Sequence, residues 1–238
     1  MHHELNLLSY RQLVTSFLEK GYSFVLFPEL TSTKQQIVMR HDIDFNCQYA
    51  LRMAEVESRL GIRSTFFFQV ASDSYNPFSA KNRESIQQIQ RLGHAISLHF
   101  DPTIYEDFFA GFDREKLLFE TFFDTRLDLV SLHRPSAFFQ QYDERIGGVE
   151  HTYMKKYFED VSYFSDSRGQ WRYGHPLDSD TVQRGDSLQV LVHPIWWAVE
   201  GATPQDKLIQ QYGTKREEIK EHYRKNCEPF NDISCEIV

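Results

Sequence analysis

The sequence predicts one α/β domain in which parallel strands and helices alternate toward a barrel. Three observations carry this. Short apolar runs alternate along the chain with segments of helical spacing, the pattern of successive βαβ units. Five of the apolar runs end in a polar cluster: Asp42 and Asp44, His99, His133 and Arg134, Asp166, and His193. In a parallel barrel the carboxyl ends of the strands meet on one face, where such folds carry their chemistry. The length, 238 residues, fits a single barrel domain over 1–238 and is long enough to bury a sizeable core.

The elements follow in chain order. Residues 9–20 have helical spacing, with Leu13, Phe17 and Leu18 on one stripe, Ser9 as cap and Gly21 as stop. Residues 24–27 read as a short strand ended by Pro28. The first main strand, 37–40, runs straight into Arg40-His41-Asp42-Ile43-Asp44. Buried carboxylates are costly unless paired or bound to a metal. Alternate residues of an extended chain share a face, so Asp42 and Asp44 point the same way. Taken alone, this cluster is open to two readings: a metal or acid/base site, or a capping Asp with a surface ion pair to Arg40.

Residues 46–60 read as a helix, with Ala50, Met53, Ala54 and Leu60 inward and Gly61 as stop. Cys47 in its first turn reads as a small packed residue, since nothing pairs it with a base. Residues 64–70 form an aromatic-rich strand, 81–92 an amphipathic helix, and 94–102 a strand ending on His99 and Asp101. A helix over 113–126 precedes a strand at 129–132 that ends in His133-Arg134-Pro135. The stretch 136–160, with Gly147-Gly148 and several tyrosines, reads as a long loop of the kind that is functional or disordered. Strands follow at 161–164 and 187–192, the second running into His193-Pro194-Ile195-Trp196-Trp197. A polar amphipathic helix starts at Thr203 or Asp206 and runs to about residue 225; residues 229–238 have no clear placement.

Bulk properties exclude several partner classes. The net charge is −8 with no basic block, against a nucleic acid or an anionic membrane surface. No run of eighteen apolar residues exists to span a bilayer. The N-terminal segment lacks a signal peptide's pattern, and Cys47, Cys227 and Cys235 have no CxxC spacing. A cytoplasmic protein with free thiols is therefore expected.

The polar clusters, in this order, resemble the polysaccharide deacetylases of the NodB-homology group, the fourth carbohydrate-esterase family. MRHDID resembles the first motif, a strand ending in paired aspartates. GHAISLH resembles the second, a glycine-led strand ending on a metal-binding histidine. LHRPS resembles the arginine-proline motif, SDSRGQW the fourth motif, and LVHPIWW the closing Leu-x-His. The resemblance spans roughly residues 37–197, and the HD-x-D and HP-x-WW forms are similar to deacetylase-like proteins of surface-polysaccharide gene clusters. It implies a distorted (β/α) barrel of about seven strand–helix units. It also implies a metal-dependent hydrolase that removes an N-acyl group from an amino sugar or a polysaccharide precursor. The alternatives are a non-catalytic sugar-binding relative and a different amide hydrolase on the same fold.

The resemblance assigns roles residue by residue. Asp42 is the base, Asp44 and His99 are metal ligands, and Arg134 orients Asp42. His193 is the general acid, Asp166 holds it, and Trp171 packs against that pair. Exchange of roles between Asp42 and Asp44 stays open. Two positions depart from the family: Thr103 stands where a second metal-binding histidine is usual, and Ile43 separates aspartates that are usually adjacent. His133, at the neighbouring strand end, is proposed as the replacement ligand. Asp and His donors without Cys suit zinc first, then cobalt, nickel or manganese. Trp196 and Trp197, on a segment read as extended, should point opposite ways, one of them toward a sugar ring; Trp196 is the candidate. Tyr142, Tyr153 and Tyr173 lie in long connectors that could line the substrate groove.

Overall fold

The computed structural model describes residues 5–31, 34–172 and 174–232, without the side chains of 231 and 232. Tyr173, Cys235 and the end of the 229–238 tail lie outside the described residues. Eight strands form one sheet: β1 (Ser23–Phe24), β2 (Gln36–Ile43), β3 (Thr65–Phe68), β4 (Ala95–Phe100), β5 (Leu129–Leu132), β6 (Glu150–His151), β7 (Ser162–Ser165) and β8 (Leu188–Val192). Every strand pairing is parallel, in the order β6-β5-β4-β3-β2-β8-β7 with β1 beside β2. Followed as a ring, β2 to β8 lie in chain order, with the ladder open between β6 and β7. The sheet is thus a curled half-barrel, an α/β fold of the distorted (β/α) barrel type. Gln189 of β8 reaches across the open side and donates to the carbonyls of Thr152 and Tyr157, at 3.2 and 2.5 Å.

Helices α1 (Leu7–Glu19), α2 (Cys47–Arg59), α3 (Ala80–Arg91) and α4 (Phe108–Phe123) cover the outer face. The first starts two residues before Ser9, because Asn6 caps it: Asn6 Oδ1 accepts from the Ser9 N–H, and Ser9 Oγ accepts from the Asn6 N–H. Likewise α4 starts ahead of the expected 113, where Asp107 Oδ1 accepts from the N–H groups of Phe109 and Ala110. The strand expected at 24–27 is only two residues long, and the chain turns into a 3-10 turn at Phe27–Glu29 around Pro28. The expected long loop at 136–160 contains α5 (Ala137–Gln141), β6 and α6 (Lys155–Phe158). Next come α7 (Asp180–Arg184), α8 (Pro194–Ala198) and α9 (Pro204–Asn226). Thus Trp196 and Trp197 are helical rather than extended, with Pro194 opening the helix. No helix among the described residues is long and apolar enough to cross a membrane.

Period-two alternation in β2 sorts its residues into two environments. Ile37, Met39 and Ile43 join the large cluster packed against the helices. Val38 faces inward and packs with Phe27, Phe67, Leu129 and Tyr157 into an apolar floor. Arg40, Asp42 and then Asp44 follow on that same inner side, one above the other toward the carboxyl ends.

Candidate active site

Arg40 is completely buried, and its guanidinium grips Asp42 with two bonds: Nε to Oδ1 at 2.9 Å and Nη2 to Oδ2 at 2.7 Å. Its plane lies over the ring of Tyr153, 5.1 Å from the centroid, so that tyrosine is part of the barrel filling. Burial alone would raise the Asp42 pKa, but the charge of Arg40, with His99 and His193 adding to it, holds it below the ordinary carboxylate value. Asp42 therefore stays ionised inside the barrel.

The partner expected for Asp42 was Arg134, and here the structure corrects the sequence reading. Arg134 stands at φ 50°, with its side chain 68% exposed, and Nη2 bonds Asp101 Oδ2 at 2.9 Å. Its backbone follows His133 out of the barrel, so its side chain meets the strand-end loop of β4 instead of the interior. The reading of Arg40 as half of a surface ion pair is corrected in the same way: the pair exists and is buried.

Asp44, His99 and His133 come together at the top of β2, β4 and β5 and present one donor atom each within 4.8 Å of one another. His99 Nε2 lies 3.0 Å from His133 Nδ1 and 3.3 Å from Asp44 Oδ1, and His133 Nδ1 lies 3.4 Å from Asp44 Oδ1. Four ligands at about 2.0–2.1 Å in a tetrahedron stand about 3.3–3.4 Å from each other. The spacing and the N/O donor set fit a zinc-like divalent cation with an open position. Ser131 Oγ, 2.6 Å from His99 Nδ1, fixes the ring so that Nε2 faces the other two donors. Gln69 Nε2 donates to Asp44 Oδ1 at 3.1 Å. Burial pushes the Asp44 pKa up, but hydrogen bonds from His133 and His99 outweigh it and hold the carboxyl well below the usual range.

Thr103 is turned to a different task. Its N–H and Oγ1 both donate to Asp101 Oδ1, at 2.9 and 2.6 Å, closing a 3-10 turn behind β4. Asp101 is thereby committed to Thr103 and Arg134.

On the other side of Asp44, His193 Nε2 lies 4.0 Å from Asp44 Oδ2. His193 Nδ1 is 2.6 Å from Asp166 Oδ1, and its backbone N–H donates to both carboxylate oxygens at 3.1 and 3.0 Å. Burial lowers the pKa of this imidazole, but the Asp166 charge and hydrogen bond raise it further, to about 9. The hydrogen bond from an indole to Asp166 comes from Trp197, whose Nε1 donates to Oδ2 at 2.6 Å. Trp171 packs instead on Trp197, ring centroids 6.2 Å apart, and on His175 at 5.7 Å. Trp196, the expected sugar platform, is buried beside Gly169, because the helical turn of α8 carries it inward. Tyr142 stacks on His151 at 6.0 Å.

Sequence reasoning thus missed Gln69 and Ser131, gave Arg40 only a surface ion pair, and gave Trp197 no part in holding Asp166. A signal for two of them was present. The alternation that aligns Asp42 with Asp44 also aligns Arg40 with Asp42, and Ser131 with His133.

No family model and no curated protein matches the chain. Several solved structures are similar to it. A family 4 carbohydrate esterase from Bacillus anthracis is 16% identical, with a TM-score of 0.44, over 87% of this chain and 86% of that one. The peptidoglycan deacetylase PdaC from Bacillus subtilis is 11% identical, with a TM-score of 0.41, over 83% of this chain and all of that one. A mutant of BA3943, a CE4 family pseudoenzyme with restored enzymatic activity, is 13% identical, with a TM-score of 0.41 over 79% of this chain; the match spans 65% of that chain's length. The chain is thus similar to structures of the family whose motifs its sequence resembles.

Proposed function

We propose that the chain is a metal-dependent hydrolase that removes an N-acyl group, an acetyl first, from an amino sugar or a precursor of a surface polysaccharide, acting in the cytoplasm. The observation that supports it is the triangle of Asp44, His99 and His133 donors, 3.0–3.4 Å on a side, flanked by an ionised Asp42 and an imidazole raised to about 9. Those three residues would hold a divalent cation. When bound, it supplies Lewis acidity to an acyl carbonyl and lowers the pKa of water at the site.

The chain's own groups divide the proton work. Asp42, kept anionic by Arg40, takes the proton of the attacking water. His193, kept protonated by Asp166, delivers a proton to the departing nitrogen, without which an amine anion would be expelled. Asp44 links the two: His99 Nε2 is 3.3 Å from Asp44 Oδ1 and 3.7 Å from Asp42 Oδ2, and His193 Nε2 is 4.0 Å from Asp44 Oδ2. The narrower assignment to surface-polysaccharide precursors rests on the likeness of the His41-Asp42-x-Asp44 and His193-Pro194-x-Trp196-Trp197 forms. The test is elemental analysis of the purified protein combined with amine release from N-acetylated and N-formylated amino sugars and their oligomers. Bound cation with amine release, both lost in Asp44→Ala, supports the reading. A protein that takes up no cation under titration with zinc, cobalt, nickel and manganese overturns it.

A further inference from the structure

We propose that Trp197 is a positioning residue for the Asp166–His193 pair, acting through its indole N–H. The inference rests on the reading of His193 as the proton donor.

Asp166 is fully buried, and its two oxygens carry different work. Oδ1 takes the imidazole, and Oδ2 takes Trp197 Nε1, each at 2.6 Å. A carboxylate removed from water needs a donor on each oxygen. Without the indole, Oδ2 would keep only the His193 backbone N–H, which it shares with Oδ1, and the carboxylate would be freer to rotate about its Cβ–Cγ bond and carry the His193 ring with it. The indole on Oδ2 fixes the carboxylate plane and so the ring direction of His193.

The indole is itself held. Trp197 is 2% exposed, and Tyr10 of α1 meets it edge-on, centroids 5.3 Å apart at 61°. The Tyr10 hydroxyl donates to Glu57, a buried carboxylate that also lies 2.8 Å from His41 Nε2 and accepts from Ser64 Oγ at 2.5 Å. Tyr10 is thus anchored at its hydroxyl on the helix side of the sheet, and its ring sets the tilt of Trp197. The five residues from His193 to Trp197 carry both the imidazole and the group that orients its carboxylate partner.

The test is Trp197→Phe, which keeps an aromatic ring and removes the donor. The cation affinity should be unchanged, and kcat on an N-acetylated sugar oligomer should fall about tenfold at constant KM, the worth of one hydrogen bond to a charged group. In the metal-free protein, the deshielded Nδ1–H proton of His193, assigned by its loss in His193→Gln, should move upfield. An unmoved resonance in folded Trp197→Phe overturns the proposal. Should that variant fail to fold, Asp166→Asn is read instead: the Trp197 indole N–H resonance should move upfield and exchange faster, and no change overturns the proposal. Shifts of these resonances in a wild-type background that lacks turnover would sink the hydrolase reading while supporting the positioning role.

Discussion

Arg40 and Asp42 lie two residues apart on one strand and form a bidentate ion pair wholly inside the barrel. Such a pair adds little net stability over a well-packed apolar pair, but either member alone is a stranded charge. Arg40→Met should destabilise the protein by about 3–5 kcal/mol. The double variant Arg40→Met with Asp42→Leu should recover much of that loss. Arg134→Ala, whose side chain is exposed, should change stability by less than about 1 kcal/mol. Urea denaturation of the four proteins decides, and equal losses for Arg40→Met and Arg134→Ala would contradict the assignment of Asp42's partner.

Ser131 lies behind His99, and a group that orients a ligand is worth about 10–100-fold in metal affinity. Ser131→Ala should therefore weaken zinc binding by about tenfold, and His133→Ala by more than Ser131→Ala does. Competition titration against a chromophoric chelator measures both. Unchanged affinity in His133→Ala, with the fold intact, removes it from the ligand set.

His193 stands beside the donor triangle without joining it. His193→Ala should lower turnover by about 100-fold or more and leave the bound metal stoichiometric. Metal lost together with activity would make His193 a ligand.

Glu115 of α4 is a buried carboxyl with a pH consequence of its own. Burial pushes its pKa up, the Tyr105 hydroxyl bond at 2.6 Å pulls back, and Asp101 adds to the rise, leaving it at about 7. The folded state holds this proton between the unfolded pKa near 4.5 and about 7, so stability falls as pH rises through that window. Glu115→Gln cannot ionise and should show a shallower decline from pH 5 to 8, with the larger gain in melting temperature over wild type at pH 8. Parallel melting curves for the two proteins across that range would rule the group out.

Much of this architecture is legible in the sequence because it is local. The strand at 129–132 is bounded by residues whose alternation is unambiguous, and its limits coincide with β5. The shared face of Asp42 and Asp44 follows from strand geometry alone. What escaped depends on partners distant in sequence or on very short elements. The two residues of β6 exist as a strand only because β5 is there to pair with them. The destination of Arg134 is set by φ at one residue, a left-handed turn that no composition signal marks. Trp197 was separated from Asp166 by thirty residues, and only the helical turn of α8 brings its indole N–H to that carboxylate.

β2 is keyed on both faces at once: Arg40 and Asp42 lock to each other within, while His41 between them locks to Glu57 on the helix side. A slip of one residue would exchange the two sets of side chains, because strand side chains alternate. His41 would swing into the barrel and leave Glu57 stranded, while Arg40 and Asp42, moving together, would carry their charges against the apolar helices. Chain length between Val38 and Asp44 is therefore a tighter constraint than most side-chain identities there. Substitutions in this strand can be traded for activity, whereas a one-residue insertion or deletion forfeits the fold.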